Sequence, residues 1–154
     1  MKIDKQVEHA VREAFGASVA EEPTRFNSAL EAITDRGEGF TRDAINLAVA
    51  VDSAALFALH EGVGPDEDQT LQLARDFVRS QPWARIGEDV AAPFFTALAG
   101  GQEALPDALE VGDIAQASLA VGGWLLSAFL AEDRAWTDFL DDLLEHLERM
   151  PVQE

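Results

Sequence analysis

Apolar residues recur at every third or fourth position along most of the chain, which is the spacing of one face of an α-helix. Residues 4–20 predict the first helix, because every fourth position is apolar: Val7, Val11, Phe15 and Val19. A second, shorter apolar stripe covers residues 26–33. It follows Pro23, a residue suited to the first turn of a helix. The segment 35–39 has two glycines and no apolar residue, and this composition indicates a loop.

The next segment predicts a long helix over residues 41–61 that is apolar on nearly every side. Thr41 is the expected N-cap, and Gly62 is the expected C-terminal stop. A helix that is apolar all round belongs in the middle of a bundle. Acidic residues 66–68 then open a helix that continues to residue 80, since carboxylates are favoured at a helix N-terminus.

Beyond Pro82 the helical pattern continues, and strand signals such as alternating β-branched runs are missing. The fold class is therefore predicted to be all-α, a compact bundle of about seven to eight helices. Residues 114–131 carry no charge, but glycines, serines and a glutamine interrupt the stretch, so we expect a core helix and not a membrane span. The helices predicted here cover residues 88–99, 103–109, 113–131 and 133–150.

The second half of the chain echoes the first, which indicates two tandem repeats over residues 7–82 and 86–151 within one domain. A shift of 79 positions aligns residues 11–31 with 90–110, and a shift of 70 aligns the two long helices. Gly122-Gly123 corresponds to Asp52-Ser53 under this second shift and would allow helices to approach closely. The alternative is chance, since any two alanine-rich amphipathic hairpins can be slid into partial agreement.

Charge is the strongest feature of the composition, with 29 acidic and 11 basic residues and a net charge of −18. No basic residue occurs between Arg85 and Arg134. Direct binding to nucleic acid or to an anionic membrane works by neutralising phosphate with Lys and Arg, so both are disfavoured. A basic protein partner is favoured instead. The alternative is that the charge serves only solubility.

The segment preceding the first helix has no apolar stretch, so a signal peptide is not expected. The chain also has no cysteine, which fits a reducing compartment and excludes thiolate chemistry. Together these features favour a cytoplasmic location.

Asp52 is unusual because it lies inside an apolar run of the long helix. A buried carboxylate without a partner is costly. The favoured interpretation is structural, with a partner arginine or a polar edge of the helix. The functional interpretation is a ligand-contacting or proton-handling acid, in a pocket between the two core helices that also includes Asn46 and Gln116.

Enzyme, metal and cofactor chemistry find little support in the sequence. Each of the three histidines stands directly beside a glutamate, and adjacent residues point apart on a helix. Asp142 and His146 are one helical turn apart, but a single such pair is common on helix surfaces. Nucleophile motifs and phosphate-binding glycine loops do not occur. We therefore expect a non-enzymatic protein without metal or cofactor.

The last helix is the best candidate for an interaction surface. One side is apolar, and the other is crowded with acids, which we call the acidic face: Asp138, Asp141, Asp142, Glu145 and Glu148. Together with Trp136 they are predicted to bind a basic protein, in the manner of an adaptor, an inhibitor or immunity-type protein, or a mimic of nucleic acid. The alternative function is binding of a small molecule in the pocket near Asp52. The sequence does not specify the oligomeric state.

Overall fold

A computed structural model describes residues 1–100 and 109–150. Over these residues the chain forms seven α-helices, one short 3₁₀ turn at Pro82–Ala84, and no strand, which confirms the all-α prediction. The predicted helix 103–109 lies almost wholly outside the described residues. The helices are α1 (Lys5–Val19), α2 (Pro23–Thr34), α3 (Glu38–Leu59), α4 (Glu67–Ser80), α5 (Glu88–Gly100), α6 (Val111–Ser127) and α7 (Trp136–Arg149).

Helix α6 is the centre of the bundle, with twelve of its 17 residues buried. Helices α1 and α3 pack most extensively against it, while α4 packs mainly against α5. The two apolar helices predicted for the interior are therefore both in the core. No helix in the described ranges is long and apolar enough to cross a membrane.

Four predicted helix boundaries are wrong by a few residues, two of them at the ends of α3. Helix α3 begins at Glu38 and not at Thr41, because Gly37 adopts a φ of 103° and provides the N-cap. The Thr41 hydroxyl lies inside the first turn and donates to the Gly37 carbonyl at 2.8 Å. At the other end, Gly62 has a φ of 84°, and the helix has already ended at Leu59.

The other two differences concern the C-terminal helices. Helix α6 ends at Ser127 where the sequence predicted residue 131, and α7 begins at Trp136 where it predicted residue 133. The segment between them is longer than expected and carries Phe129, which is 47% exposed.

Helix α4 begins as the acidic residues predicted. Asp66 is the N-cap and accepts from the Gln69 backbone N–H at 2.8 Å, while the Gln69 side chain accepts from the Asp66 N–H at 2.9 Å. This reciprocal pair is a capping box, which satisfies two backbone donors that the first turn would leave free.

An aromatic cluster joins α4, α5 and α6. The Trp124 ring, 6% exposed, lies edge-on to Phe77 at a centroid distance of 5.6 Å and to Phe95 at 6.1 Å. Phe129 covers its outer side at 5.0 Å. Such edge-to-face contacts add about 0.5–1.5 kcal/mol beyond the burial of apolar area, so this cluster fixes the position of α4.

Candidate functional site

The acidic face of α7 lies on the solvent side of the helix. All five of its carboxylates are exposed, and they occur at positions i, i+3, i+4, i+7 and i+10, which is a single stripe along an α-helix. The opposite side is fixed in the core by buried apolar residues: Phe139, Leu140, Leu143, Leu144 and Leu147. The apolar periodicity that buries one side of α7 thus holds the acids in place on the other.

Three acids of the acidic face form ion pairs with arginines of the same chain. Arg12 of α1 contacts Asp141 at 2.5 Å, and Arg134 contacts Asp142 at 2.5 Å. Arg149 contacts Glu145 one turn away on α7. Within the described residues Asp138 and Glu148 have no such pair. Exposed pairs of this kind contribute less than about 1 kcal/mol each, so the face stays open to a competing cation.

Trp136, predicted as a partner contact, is half-buried at the start of α7. Its ring packs over Gly16 of α1, and a Cβ added to that glycine would lie 3.7 Å from Trp136 Cζ2. The indole therefore docks α7 against α1, and only part of it is available at the end of the acidic face.

Asp52 is fully buried on α3. Neither of its carboxyl oxygens has a hydrogen-bond partner in the described part of the chain. The expected arginine partner or polar helix edge is not found among the described residues. Desolvation by burial raises the pKa of Asp52 well above its ordinary value.

Phe15 of α1 and Gly122 of α6 lie beside Asp52. A Cβ placed on Gly122 would lie 2.5 Å from Asp52 Oδ1 and 2.2 Å from Phe15 Cε1, which leaves no room for any side chain at this position. Gly123 is equally crowded, since its Cβ would lie 2.2 Å from Ser18 Oγ. The Ser18 hydroxyl donates to the Ala120 carbonyl at 3.0 Å and ties α1 to α6. The expected close approach at the glycine pair is present here.

Phe15 and Gly122 were not predicted to surround Asp52. The apolar stripe that contains Phe15 and the glycine pair were both visible in the sequence, but periodicity does not reveal which helices meet across a core. The shift of 70 positions pairs Gly122 with Asp52, but nothing in the sequence linked Phe15 to the carboxyl.

Asn46 and Gln116, predicted to share a pocket with Asp52, have other surroundings. Asn46 is exposed and lines a surface groove of about 250 Å³ with the N-terminal residues. Gln116 is half-buried, and its Nε2 donates to the Ala84 carbonyl at 2.9 Å, where it secures the 3₁₀ turn. Neither side chain hydrogen-bonds to Asp52, whose two oxygens are both unpartnered.

A small apolar cavity lies between α2, α3 and α6, and its volume of about 10 Å³ holds at most one water molecule. It is lined by Leu30, Ile33, Thr41, Ala44, Ile45, Ala115 and Leu119. Binding of a small molecule at this place would require the two core helices to separate.

Among residues 1–100 and 109–150, no group of three or more His, Asp and Glu side chains could hold an ion. His146, one turn from Asp142, is exposed on α7.

Comparisons with protein-family models, with curated proteins and with solved structures found nothing that matches this chain. The site must therefore be interpreted from its own chemistry.

Proposed function

We propose that this protein is a non-enzymatic interaction module that binds a basic surface on another protein through the acidic face of α7. The observation that carries the proposal is the single stripe of five exposed carboxylates on a helix whose other side is packed in the core. Because that packing already orders the backbone, a partner meets a rigid array of charges and little ordering entropy is lost on binding.

The geometry of the stripe suits an extended cationic surface. Asp138 and Glu148 are ten residues apart, which corresponds to about 15 Å along a helix axis. Lysines or arginines of the partner can take the place of Arg12, Arg134 and Arg149 in the ion pairs with the acidic face, because exposed pairs contribute little to stability. One strand of a nucleic-acid duplex carries a phosphate for about every 3.4 Å of helix axis, an axial density close to that of the acidic face. A protein that normally binds nucleic acid therefore fits as partner.

The charge of the whole chain supports the same proposal. A net charge of −18 on 154 residues gives strong self-repulsion, and a cationic partner relieves it on binding. The absence of cysteine is consistent with the cytoplasmic location that we propose for this complex.

A comparison of two variants with the same change in charge tests the proposal. In the first, the acidic face is neutralised by Asp138→Asn, Asp141→Asn, Asp142→Asn, Glu145→Gln and Glu148→Gln. In the matched control, five exposed acids of the first half are neutralised instead: Glu21→Gln, Glu22→Gln, Glu31→Gln, Asp35→Asn and Glu38→Gln. Circular dichroism and urea unfolding establish that both variants fold.

Each tagged protein is then used to capture binding proteins from a lysate of its source at low and at high salt. We expect a stoichiometric basic protein that the wild type and the control retain at low salt, that high salt releases, and that the neutralised face does not bind. The captured protein is then purified, and its affinity for all three proteins is measured by calorimetry. Equal affinity for both variants, or capture of nothing by the wild type, contradicts the proposal.

We also propose that the fold contains two copies of one unit, over residues 7–82 and 86–151. Asp52 and Gly122 correspond under the shift of 70 positions, and they lie against each other as residues beside a twofold axis would. Ser53 corresponds to Gly123: Ser53 Oγ donates to Leu98 on α5, while Gly123 packs on Ser18 of α1.

Superposition tests this proposal directly. Residues 11–20 with 43–56, fitted onto residues 90–99 with 113–126, should overlay through a rotation close to a half turn. A translation without rotation, or a poor fit between the two pairs of helix segments, would count against duplication.

A further inference from the structure

The acidic face makes no use of Asp52, yet this carboxyl has the most unusual surroundings among the described residues. It lies where α1, α3 and α6 meet, with the Phe15 ring and the bare backbone of Gly122 beside it. Its side chain has no exposed surface and no hydrogen-bond partner. An ionised carboxylate in such a place would have to be neutralised or reach water.

The charged groups on the surrounding helices do not stabilise the ionised form. Each of them is exposed or half-buried, and none hydrogen-bonds to the carboxyl. Helices α1, α2 and α3 carry Lys5, Glu8, His9, Arg12, Glu13, Arg25, Glu31, Glu38, Arg42 and Asp43. Helices α5, α6 and α7 carry Glu88, Asp89, Asp113, Asp138, Asp141, Asp142, Glu145, His146, Glu148 and Arg149. Desolvation thus acts without compensation, and it raises the pKa of Asp52 well above its ordinary value.

We propose that Asp52 is a pH-sensitive switch at this crossing: the neutral acid allows the three helices to pack, and ionisation releases α1 from α3 and α6. Helix α1 is the element that moves, because its Phe15 ring lies beside the carboxyl, against the same position of Gly122. The Ser18–Ala120 hydrogen bond breaks in the same step.

The direction of the pH effect follows from proton linkage. Below about pH 4 the carboxyl is protonated in both the packed and the released states, and its contribution to packing is complete. As the pH rises, the released state loses the proton while the packed state keeps it. The equilibrium constant for release therefore increases about tenfold per pH unit, until the pH reaches the raised pKa of the packed state.

Amide hydrogen exchange of the full-length protein, followed by mass spectrometry or NMR, tests the switch. Exchange is measured from about pH 5 to about pH 8 and corrected for the intrinsic rate, so that it reports the opening equilibrium. Wild type is compared with Asp52→Asn, which keeps the shape of the side chain but cannot ionise. Asp43→Asn, an exposed carboxyl on the same helix, is the control for loss of one charge.

We expect the opening constant of α1, relative to Asp52→Asn, to rise about tenfold per pH unit up to the raised pKa of Asp52 and to level off above it, in both the wild type and the Asp43→Asn control. The excess exchange should be concentrated in α1 and in the facing part of α6. Equal protection of wild type and Asp52→Asn at every pH overturns the proposal. An excess spread evenly over all helices also overturns it, because it shows global unfolding without release of α1.

If Asp52→Asn does not fold, the wild type alone decides the question. The Asp52 carboxyl carbon is titrated by NMR, and the protection of α1 is followed in the same samples. Loss of protection that accompanies ionisation of Asp52 supports the switch. An Asp52 that is ionised while α1 stays protected overturns it.

Discussion

Asp52 and Gly122 form a contact in which Gly122 cannot be enlarged, since a Cβ on Gly122 would lie 2.5 Å from the Asp52 carboxyl oxygen. This contact joins the two core helices, α3 and α6, at the point where α1 crosses them. Close packing at the bundle centre therefore requires the lack of a side chain at Gly122 as much as the apolar residues around it.

The substitution Gly122→Ala should destabilise the fold. Overpacking of a core costs about 1–3 kcal/mol, and here the methyl group would also lie 2.2 Å from Phe15 Cε1. This cost exceeds the gain of about 1 kcal/mol that alanine brings to a helix interior. The free energy of unfolding is measured in urea.

Gly112→Ala on the same helix is the matched control, because nothing lies within 4 Å of its added methyl group. It should be neutral or stabilising by up to about 1 kcal/mol. If both alanine variants were equally stable, the crossing at Gly122 would not be as close as described.

Gly123 and Ser18 should show energetic coupling across the α1–α6 contact. A methyl group on Gly123 would lie 2.2 Å from Ser18 Oγ and 2.5 Å from Ser18 Cβ. Gly123→Ala should therefore cost less in a Ser18→Gly background than in the wild type. A double-mutant cycle of urea unfolding should give a coupling energy between about 0.5 and 3 kcal/mol, and additive effects would argue against this contact.

Asp66→Ala should destabilise the protein by about 1 kcal/mol, because it removes the side-chain acceptor of the α4 capping box. Asp68→Ala removes the same charge from the same helix end but no cap hydrogen bond, so it isolates the effect of the helix dipole. Thermal or urea unfolding of the two variants measures the difference. An Asp68→Ala variant as unstable as Asp66→Ala would mean that charge, and not the cap, matters.

Added salt should stabilise the fold. At about 0.15 M salt the screening length falls to about 8 Å, which weakens the mutual repulsion of a chain with net charge −18. The exposed arginine pairs weaken as well, but they contribute little. The urea midpoint should therefore rise with sodium chloride. A falling midpoint would show that the ion pairs outweigh the repulsion.

Most of the helices could be predicted from the sequence because their apolar stripes form the buried sides of helices in the folded protein. Val7, Val11 and Phe15 are buried on one side of α1, as their spacing of four requires. Helix ends were less accurate, since Thr41 has the right chemistry for an N-cap but Gly37, with its positive φ, ends up in that position. Local propensity favoured Thr41 and did not indicate that the backbone of Gly37 would begin the helix four residues earlier.

The exposure of the acidic face could be predicted from the sequence, whereas the surroundings of Asp52 could not, and the difference has a physical reason. Exposure of the acidic face follows from the period of α7 alone, so the five carboxylates could be placed on solvent from the sequence. The surroundings of Asp52 depend on which helices cross it, and that is a tertiary property. Asn46 and Gln116, which were expected in the same pocket, lie on other helix faces. Asn46 is exposed to solvent, and Gln116 hydrogen-bonds to the 3₁₀ turn.

The aromatic cluster gives the protein an optical signal of its own. Trp124 is shielded by three phenylalanine rings, whereas Trp83 and Trp136 are half-buried at the surface. Iodide, repelled by the negative surface, should quench the emission of all three indoles poorly, and caesium should quench mainly the two outer ones. The fluorescence of Trp124 thus reports the integrity of the bundle centre without any added dye.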